Sequence, residues 1–372
     1  MAFRICIENL LAKSNKLRFK SCCSICRSNT QNGFKGHQRF SFKVVLSVLF
    51  LLHISSVGVL AESVQSPAIP SPLASKVLLT DSAQIGKSTR YIGVGLYGNI
   101  VYSDNGETWQ QANSPTQVLI TNVFFVDDKH GWAGGHDTLI LHTSDGGENW
   151  EIQYEDPITG GDIPKPIIDI YFADKNRGFA IGAYGLILET FDGGKNWSQL
   201  DTTTLYDRLE SMEMEPEPTF NGVIPYAGKL LIVAELGTIL LFDPNGTTDE
   251  ERWQILESPY EGTYFGVTQT TGGALYIYGL RGNIYRSTDG MGTWEKIKTD
   301  VIANIFDAIE LSDGRIVFLG ASGTVLTLSK NDDRAERYPY PGFEALVSGQ
   351  IIEGSELFIF GARGVQRLQV KR

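Results

Sequence analysis

Short runs of alternating apolar and polar residues recur along the chain after residue 61. Residues 122–126 and 186–190 are examples, and a period of two residues is typical of β-strands. In one stretch four such strands follow one another. They comprise an inner strand (120–126), a second (131–134), a third (139–143) and an outer strand (150–154). The pattern predicts a protein assembled from four-stranded units.

A G-x-x-G motif followed by an apolar residue marks each unit. Five copies are intact and two degenerate copies fill the gaps between them. The seven copies end at residues 98, 138, 185, 237, 282, 323 and 364. Their mean spacing of about 44 residues matches one propeller blade. Seven blades account for residues 62–372, so the sequence predicts an all-β fold with one domain, a seven-bladed β-propeller.

A second motif, the Asp-box (S/T-x-D-x-G-x-T-W), follows the first by about a dozen residues in four units. We expect its aspartate to accept backbone N–H groups across a tight turn and its glycine to supply a positive φ. We expect its tryptophan to begin the next strand. A turn repeated in every blade serves the architecture, whereas a catalytic site is needed once. These residues are therefore predicted to be structural: Asp104, Trp109, Asp145, Trp150, Asp192, Trp197, Asp289 and Trp294.

The seventh unit is shorter than the others. Residues 345–371 have room for only three strands. A strand at residues 76–81 is therefore expected to help close the ring there, although the pattern leaves open which strand it replaces.

Composition agrees with a strand-rich fold and excludes two kinds of partner. Glycine makes up about 11% of the chain, against a usual value of roughly 7%. Residues 1–61 carry a net charge of +8, whereas the remainder carries −19. A body this acidic repels phosphate backbones and anionic membrane surfaces, so we expect no nucleic-acid partner and no binding to lipid.

The N-terminal segment, residues 1–61, has the order of features of a targeting sequence. An apolar run at 44–54 follows basic residues and precedes Val59-Leu60-Ala61, which suits a signal peptidase. The run is too short to span a membrane as a helix. We expect cleavage after Ala61 and export to the periplasm, without membrane insertion after cleavage. An organelle transit segment leading to the thylakoid lumen is the alternative.

The cysteines do not indicate a metal or cofactor site. All four lie in the basic N-terminal segment. Cys23 and Cys26 form a C-x-x-C pair, but no histidine pair stands nearby at the spacing of a zinc finger. We therefore expect no metal, no cofactor and no catalytic residues.

The connections between strands locate a candidate binding face. In an up-and-down blade, the link between strands two and three emerges on the same face as the link to the next blade. Loops on a rigid scaffold commonly carry binding sites. The candidate residues on this face are His136, Asp137, Tyr184, Glu235, Arg281 and Arg363, together with Tyr260 and Glu261.

A long acidic insertion, residues 200–221, joins the same face. We expect a solvated acidic loop with at most a short turn of helix, since Pro216 and Pro218 act as breakers. The functional alternative is a docking element for a basic patch on a partner. The acidic residues are Asp201, Asp207, Glu210, Glu213, Glu215 and Glu217.

The combination of motifs resembles the photosystem II assembly and stability factors of the thylakoid lumen. It looks closer still to their relatives in non-photosynthetic bacteria. Residues 131–137, 177–185 and 260–266 carry the resemblance, which covers about residues 78–370. It implies a non-enzymatic scaffold that binds a membrane protein, or a subunit of a membrane complex, from the exported side. The photosynthetic members use an arginine-rich patch, for which this acidic chain has no clear equivalent.

Asp-box propellers also include sialidases, so a glycoside hydrolase is the alternative. A sialidase needs three arginines, a Tyr–Glu nucleophile pair and an acid/base aspartate. The usual Arg-Ile-Pro signature is missing from residues 78–109. Tyr260 and Glu261 are adjacent and need not converge. A carboxylate pair such as Asp137 and Glu235 keeps an inverting mechanism open. Convergent arginines would favour this alternative, and scattered arginines would disfavour it.

Overall fold

The computed structural model describes residues 65–86, 89–156 and 164–371. In these ranges the chain forms seven antiparallel sheets, six of four strands and one of three. The inner strand of each sheet contacts the inner strand of the next, and the seventh contacts the first. The fold is therefore the predicted seven-bladed, all-β propeller.

The first four blades comprise strands 1–16. These are β1 (Leu79–Gln84), β2 (Tyr91–Gly95), β3 (Ile100–Ser103), β4 (Gln110–Gln111); β5 (Ile120–Phe125), β6 (Gly131–Gly135), β7 (Ile140–Thr143), β8 (Glu151–Tyr154); β9 (Ile167–Phe172), β10 (Gly178–Gly182), β11 (Ile187–Thr190), β12 (Ser198–Gln199); β13 (Phe220–Tyr226), β14 (Lys229–Ala234), β15 (Ile239–Phe242) and β16 (Trp253–Ile255).

The last three blades comprise strands 17–27. These are β17 (Tyr264–Gln269), β18 (Leu275–Gly279), β19 (Ile284–Ser287), β20 (Glu295–Ile297); β21 (Ile305–Glu310), β22 (Ile316–Gly320), β23 (Val325–Leu328), β24 (Glu336–Arg337); β25 (Leu346–Glu353), β26 (Glu356–Gly361) and β27 (Gly364–Gln369).

The core lies between neighbouring blades, which pack face to face. All residues of the second strands β2, β6, β10, β18 and β22 are buried. Both faces of these strands meet a neighbouring blade, so apolar or small residues stand at consecutive positions. Between blades 2 and 3, Trp132 stacks on Phe172 with ring centroids 3.5 Å apart. Close packing of this kind makes each blade dependent on the next.

The ring closes between blades 7 and 1 through side chains and not through a shared strand. β1 pairs with β2 of its own blade, and blade 7 keeps three strands. The strand expected at 76–81 to help close the ring is β1, at 79–84. It contacts β25 of blade 7 but belongs to blade 1, so it replaces no strand of the seventh unit. A short connection makes β1 and β2 local partners, and local pairing requires less loop closure. Across the closure, the Ser82 and Ser348 hydroxyl groups are 2.7 Å apart.

The acidic insertion folds onto the propeller, which corrects the prediction of a solvated loop. Its residues Thr203–Ser211 form a helix, α1. Leu205 and Leu209, four residues apart, lie on one face of the helix and are buried in the apolar cluster between blades 3 and 4. The guanidinium group of Arg208 donates to the Trp253 carbonyl oxygen at 2.9 Å. A second short helix, α2 (Asp249–Arg252), precedes β16.

The predicted targeting segment, residues 1–61, lies outside the described residues, as do the four cysteines. Within the described part of the chain, no helix has the length and apolar character needed to cross a membrane. Cleavage and export therefore stay predictions.

Candidate binding face

Strand direction assigns every connection to one of two faces. Successive strands of a blade are antiparallel. The link between the second and third strands therefore leaves on the same side as the connection to the next blade. All seven G-x-x-G links lie on this side, which we call the G-x-x-G face. The turns between third and fourth strands lie on the opposite side, which we call the Asp-box face.

The backbone of each G-x-x-G link is fastened to the scaffold. The N–H of its second residue donates to a carbonyl just before its own inner strand, as His136 does to Leu119 at 2.9 Å. The last glycine lies against the connection that enters the next blade. A Cβ on Gly98, where φ is +67°, would lie 1.8 Å from the Thr116 carbonyl oxygen. The glycines of the motif therefore join two blades, and their role is structural.

The third residue of each link projects from this face. All seven of these residues are exposed, and six of them have left-handed φ angles of 50–63°. Residues with a Cβ are disfavoured in that region by about 1–2 kcal/mol, so bulky side chains there do not serve the fold. We call these seven side chains the link ring: Tyr97, Asp137, Tyr184, Leu236, Arg281, Ser322 and Arg363.

Four predicted site residues, Asp137, Tyr184, Arg281 and Arg363, belong to the link ring. His136 and Glu235 occupy the second link position and are half-buried. Burial lowers the pKa of His136. The carboxylate of Glu235 accepts the Thr219 N–H at 3.2 Å. These two residues therefore lie beneath the exposed ring.

Tyr260 and Glu261 lie in the connection that enters blade 5. The Tyr260 ring packs against Tyr264 and Tyr285, with centroids 6.1 Å apart in both pairs, whereas Glu261 is exposed. The eight predicted residues are spread over the links and connections of several blades. The structure therefore arranges them as a broad surface and not as a single cleft.

Sequence reasoning missed the apolar character of this face. Nine large apolar residues are exposed in the described part of the chain, and eight of them lie in connections on the G-x-x-G face. Phe191 alone lies on the Asp-box face. So uneven a division of exposed apolar residues between two faces is typical of an interaction surface. The eight are Ile69, Leu73, Tyr97, Tyr184, Met212, Leu236, Ile302 and Phe343.

A sequence signal for part of this surface was available. Tyr97 and Leu236 stand at the same link position as Tyr184 and Arg281. Superposition of the seven links would have identified them. Ile302 and Phe343 lie in connections that show no repeat, so no comparable signal marks them.

The acidic helix α1 borders the link ring at blade 3. The Tyr206 hydroxyl of α1 donates to the Gly185 carbonyl oxygen, next to Tyr184, at 2.9 Å. All six acidic residues of the insertion are exposed. The ring therefore has a negatively charged margin that the scaffold holds in place.

The Asp-box turns on the opposite face direct their side chains onto their own backbone. The Asp145 Oδ1 accepts the N–H groups of Glu148 and Asn149 at 3.1 and 3.0 Å. Burial opposes ionisation, but hydrogen bonds, that from the Asn149 side-chain amide first among them, outweigh it and lower the pKa of Asp145. Trp150 donates its indole N–H to the Gly147 carbonyl at 3.0 Å. Asp192 and Asp289 accept the equivalent N–H groups, each at 2.9 Å.

The predicted role of Asp104 is wrong. Its turn is one residue shorter, and the Asn105 Oδ1 accepts the N–H groups of Glu107 and Thr108 at 2.9 and 3.0 Å. Asp104 is exposed and pairs with the Arg90 guanidinium at 2.5 Å. In this shorter turn the residue that accepts the backbone N–H groups is the one after Asp104, and the accepting atom is the amide oxygen of Asn105.

Arginines near the Asp-box face join neighbouring blades. Arg177 donates to the Pro244 carbonyl at 2.6 Å, and Arg90 donates to the Gly146 carbonyl at 3.1 Å. Arg286 and Arg367 make equivalent contacts to the blades that follow them. These guanidinium groups are therefore used by the fold.

A tyrosine–carboxylate pair lies in the connection that enters blade 7. The Tyr340 hydroxyl donates to the Glu344 Oε1 at 2.8 Å, and Arg363 lies 3.5 Å from the same oxygen. Burial and the carboxylate raise the pKa of Tyr340. Burial opposes ionisation of Glu344, yet hydrogen bonds lower its pKa to about 2. A carboxylate with so low a pKa is a weak general base, so Glu344 is poorly suited to activate Tyr340 as a nucleophile.

Three aspartates line the inner strands, and sequence reasoning did not identify them. Asp81, Asp169 and Asp307 stand at the third position of β1, β9 and β21. Each accepts an N–H of the next inner strand at 2.8–2.9 Å. Burial raises their pKa values to about 6, 7 and 7. Within the described residues no group of three His, Cys, Asp or Glu residues is placed to hold a metal ion.

The family model for the photosynthesis system II assembly factor YCF48 matches residues 101–162 and 161–333. A 54-residue segment is 41% identical to the chloroplastic photosystem II stability/assembly factor HCF136 of Cyanidioschyzon merolae. That segment covers 14% of this chain and 12% of the relative, so the curated relative is matched over a small part of its length.

Solved structures agree on the fold. YCF48 from Cyanidioschyzon merolae superposes with a TM-score of 0.62 at 18% identity, covering 80% of this chain and 97% of that one. YCF48 bound to D1 peptide superposes with a TM-score of 0.60 at 19% identity, covering 82% and 96%. The family model matches more than half of the chain, and the chain therefore belongs to the YCF48 family of photosynthesis system II assembly factors.

Proposed function

We propose that this chain is a non-enzymatic, exported assembly factor that binds a subunit of a membrane protein complex through the G-x-x-G face. The observation that carries the proposal is the link ring, whose exposed side chains stand on a backbone that two blades hold in place. Membership of the YCF48 family supports the assembly role, and one solved YCF48 is bound to D1 peptide.

The chemistry of the face favours a protein partner. Tyr97, Tyr184 and Leu236 are 63%, 53% and 55% exposed, and aromatic side chains of this kind contribute strongly to protein interfaces. Polar and charged members of the ring, including Arg281 and Asp137, supply directional contacts. A peptide or domain that covers several blades would bury the apolar members together.

The geometry disfavours the glycoside hydrolase alternative. Tyr340 and Glu344 form a Tyr–Glu pair, but the low pKa of Glu344 makes it a weak general base. Arg90, Arg177, Arg286 and Arg367 donate to backbone carbonyls of neighbouring blades. These four are not available to form an arginine triad around a substrate carboxylate.

The binding proposal is tested by capture from detergent-solubilised membranes of the chain's own source. The bait is the full chain, either unchanged or carrying Tyr97→Asn, Tyr184→Asn and Leu236→Asn together. Asparagine tolerates a left-handed φ, so the triple variant keeps the links intact. We expect one membrane complex to be captured by the unchanged chain and at least tenfold less by the triple variant. Equal capture by both would contradict the proposal.

The matched control is Phe191→Asn on the Asp-box face. Phe191 is 66% exposed, similar to Tyr97, so its replacement removes a comparable apolar surface. Capture by this variant is expected to equal that of the unchanged chain. Turnover of a glycoside panel by the purified chain would support the hydrolase instead.

The exported location is a separate part of the proposal. The support is the order of basic, apolar and small residues in segment 1–61. The periplasm is the proposed compartment, with the thylakoid lumen as alternative. N-terminal sequencing of the protein isolated from its source is expected to begin at Glu62. A protein that retains residues 1–61 would contradict it.

A further inference from the structure

Blade 7 differs from the other six blades in its outer edge. In blades 1–6 a fourth strand pairs with the third, whereas blade 7 ends with the third strand, β27. The six residues of β27 form an edge about 20 Å long, at roughly 3.3 Å per residue. Within the described residues no strand pairs with this edge.

The pairing pattern shows which backbone groups face outward. Gly361 pairs with Gly364 across a two-residue turn, and the Val370 N–H donates to the Ser355 carbonyl. Alternate residues of an antiparallel strand direct their N–H and C=O groups to opposite sides. Val365, Arg367 and Gln369 therefore direct theirs away from β26. The Gln369 carbonyl accepts the Tyr338 hydroxyl at 2.8 Å.

Arg367 occupies a position that other blades use to pair with the fourth strand. In blade 5, Arg286 of β19 stands opposite Glu295 of β20, and their side chains form an ion pair of 2.6 Å. In blade 2, His142 stands opposite Glu151 in the same way, at 3.3 Å. Arg367, Arg286 and His142 stand at the same position of the third strand, counted from the turn that joins it to the second strand.

Comparison of the two arginines shows what is missing in blade 7. Both donate to a carbonyl of the next blade, Arg286 to Lys330 and Arg367 to Gly106, each at 3.0 Å. The second contact of Arg286 is the carboxylate of the fourth strand, and the arginine side chain is 9% exposed. Arg367 reaches Glu356 of the adjacent strand at 3.3 Å and remains 46% exposed.

The charge near the edge selects the kind of segment that fits it. Arg367 and Lys371 are both exposed along this side of blade 7. The chain's own segment 1–61 contains one acidic residue, Glu8, among nine basic ones. That segment is therefore a poor electrostatic match, whereas an acidic segment from another protein is a good one.

We propose that β27 is a docking edge on which an extended acidic segment of a partner protein adds as the fourth strand of blade 7, with a carboxylate opposite Arg367. Main-chain hydrogen bonds to Arg367 and to the N–H of Gln369 give affinity, and the carboxylate fixes the register. This inference does not use the link ring, so its failure would not contradict the proposed function, nor would failure of the proposed function contradict it.

The test uses the full chain and a labelled peptide copied from residues 149–155, Asn-Trp-Glu-Ile-Gln-Tyr-Glu. This peptide is the fourth strand of blade 2 and carries the glutamate that faces His142. Two control peptides carry lysine in place of that glutamate or N-methyl groups on alternate amides. We expect saturable binding by fluorescence anisotropy, at least tenfold weaker for each control. Absence of binding, or equal binding of all three peptides, would overturn the proposal.

Two variants and one exchange measurement place the contact. Arg367→Glu is expected to reverse the preference between the glutamate and lysine peptides, while Arg337→Glu, on the outer strand of blade 6, leaves it unchanged. If Arg367→Glu does not fold, binding of the three peptides to the unchanged chain still tests the proposal. The amides of Arg367 and Gln369, both exposed, are expected to exchange fast in the free chain and slowly with peptide. Slow exchange in the free chain would show that the edge is already covered, and would overturn the proposal.

Discussion

The two faces of the propeller are built from similar turns, but the side chains in those turns have different roles. Both carry a glycine-containing turn in most blades. On the Asp-box face the side chains of the motif bond their own turn, as Asp145 does to Glu148 and Asn149. On the G-x-x-G face a backbone hydrogen bond fastens each link, as His136 does to Leu119, and the third side chain extends into solvent. The repeated residues therefore build the scaffold, and the positions that vary between repeats form the candidate surface.

The largest effect is expected at the link glycines. Gly98→Ala places a methyl group against the Thr116 carbonyl and also forces alanine into a positive φ. We expect a loss of more than about 3 kcal/mol of unfolding free energy, measured by chemical denaturation. The control is Gly314→Ala, where φ is +82° but nothing lies within 4 Å, with a loss of about 1 kcal/mol. Equal losses would show that the glycines do not join the blades.

The second-largest effect on stability is expected at the Asp-box turns. Asp145→Ala removes the acceptor of two backbone N–H groups, and we expect a loss of about 1–2 kcal/mol. Because the folded-state pKa of Asp145 is lowered, this contribution is present at neutral pH and disappears as pH falls through that pKa. Asp104→Ala removes an exposed ion pair and is expected to lose less than about 1 kcal/mol. Chemical denaturation of both variants at pH 7 and pH 3 measures these losses of unfolding free energy. A larger loss for Asp104→Ala than for Asp145→Ala would contradict the corrected turn.

The inner strands between the two faces should show the opposite pH dependence. Burial raises the pKa of Asp169 to about 7, from an ordinary value of 3.8. The folded state therefore binds the proton more tightly than the unfolded state, and the contribution to stability falls as pH rises from about 4 to about 7. Asp169→Asn mimics Asn122, which has the same position in β5, and is expected to gain about 1 kcal/mol at pH 8. A variant that is destabilised equally at pH 5 and pH 8 would contradict this.

The smallest effect on stability is expected in the link ring. Tyr97→Asn removes an exposed side chain from a left-handed position that asparagine tolerates better. We expect the unfolding free energy to change by less than about 0.5 kcal/mol. A loss above 1.4 kcal/mol, a factor of about ten in the folding equilibrium, would mean that the ring serves the fold after all.

Much of the fold could be predicted because the signal repeats. Seven G-x-x-G links in phase with four Asp-boxes determine the blade count, and the alternating strands between them determine the pairing. The blade to which the closing strand belongs could not be predicted, because the sequence at 76–84 is compatible with either blade and only the β1–β2 pairing decides. Helix α1 was missed because Leu205 and Leu209, in an insertion with six acidic residues, are a weak local signal whose strength comes from the core between blades 3 and 4.

The candidate site was less predictable for a physical reason. The motif itself locates residues at the variable positions of the links, and Asp137 and Arg281 were found in this way. Exposure of Ile302 or Phe343 depends on the three-dimensional packing of connections, which leaves no periodic trace. The role proposed for Arg367 depends on the edge of β27, with which no strand pairs in the described part of the chain, and in the sequence this arginine looks like those that serve the fold.

The central claim is that the G-x-x-G face contacts the partner, and site-specific photo-crosslinking tests it most directly. A photoreactive phenylalanine derivative is placed at position 184 in one protein and at position 191 in another, and each is irradiated with membranes of its source. We predict a crosslink to one membrane protein subunit from position 184 and none to that subunit from position 191. A crosslink from position 191 alone would contradict the account.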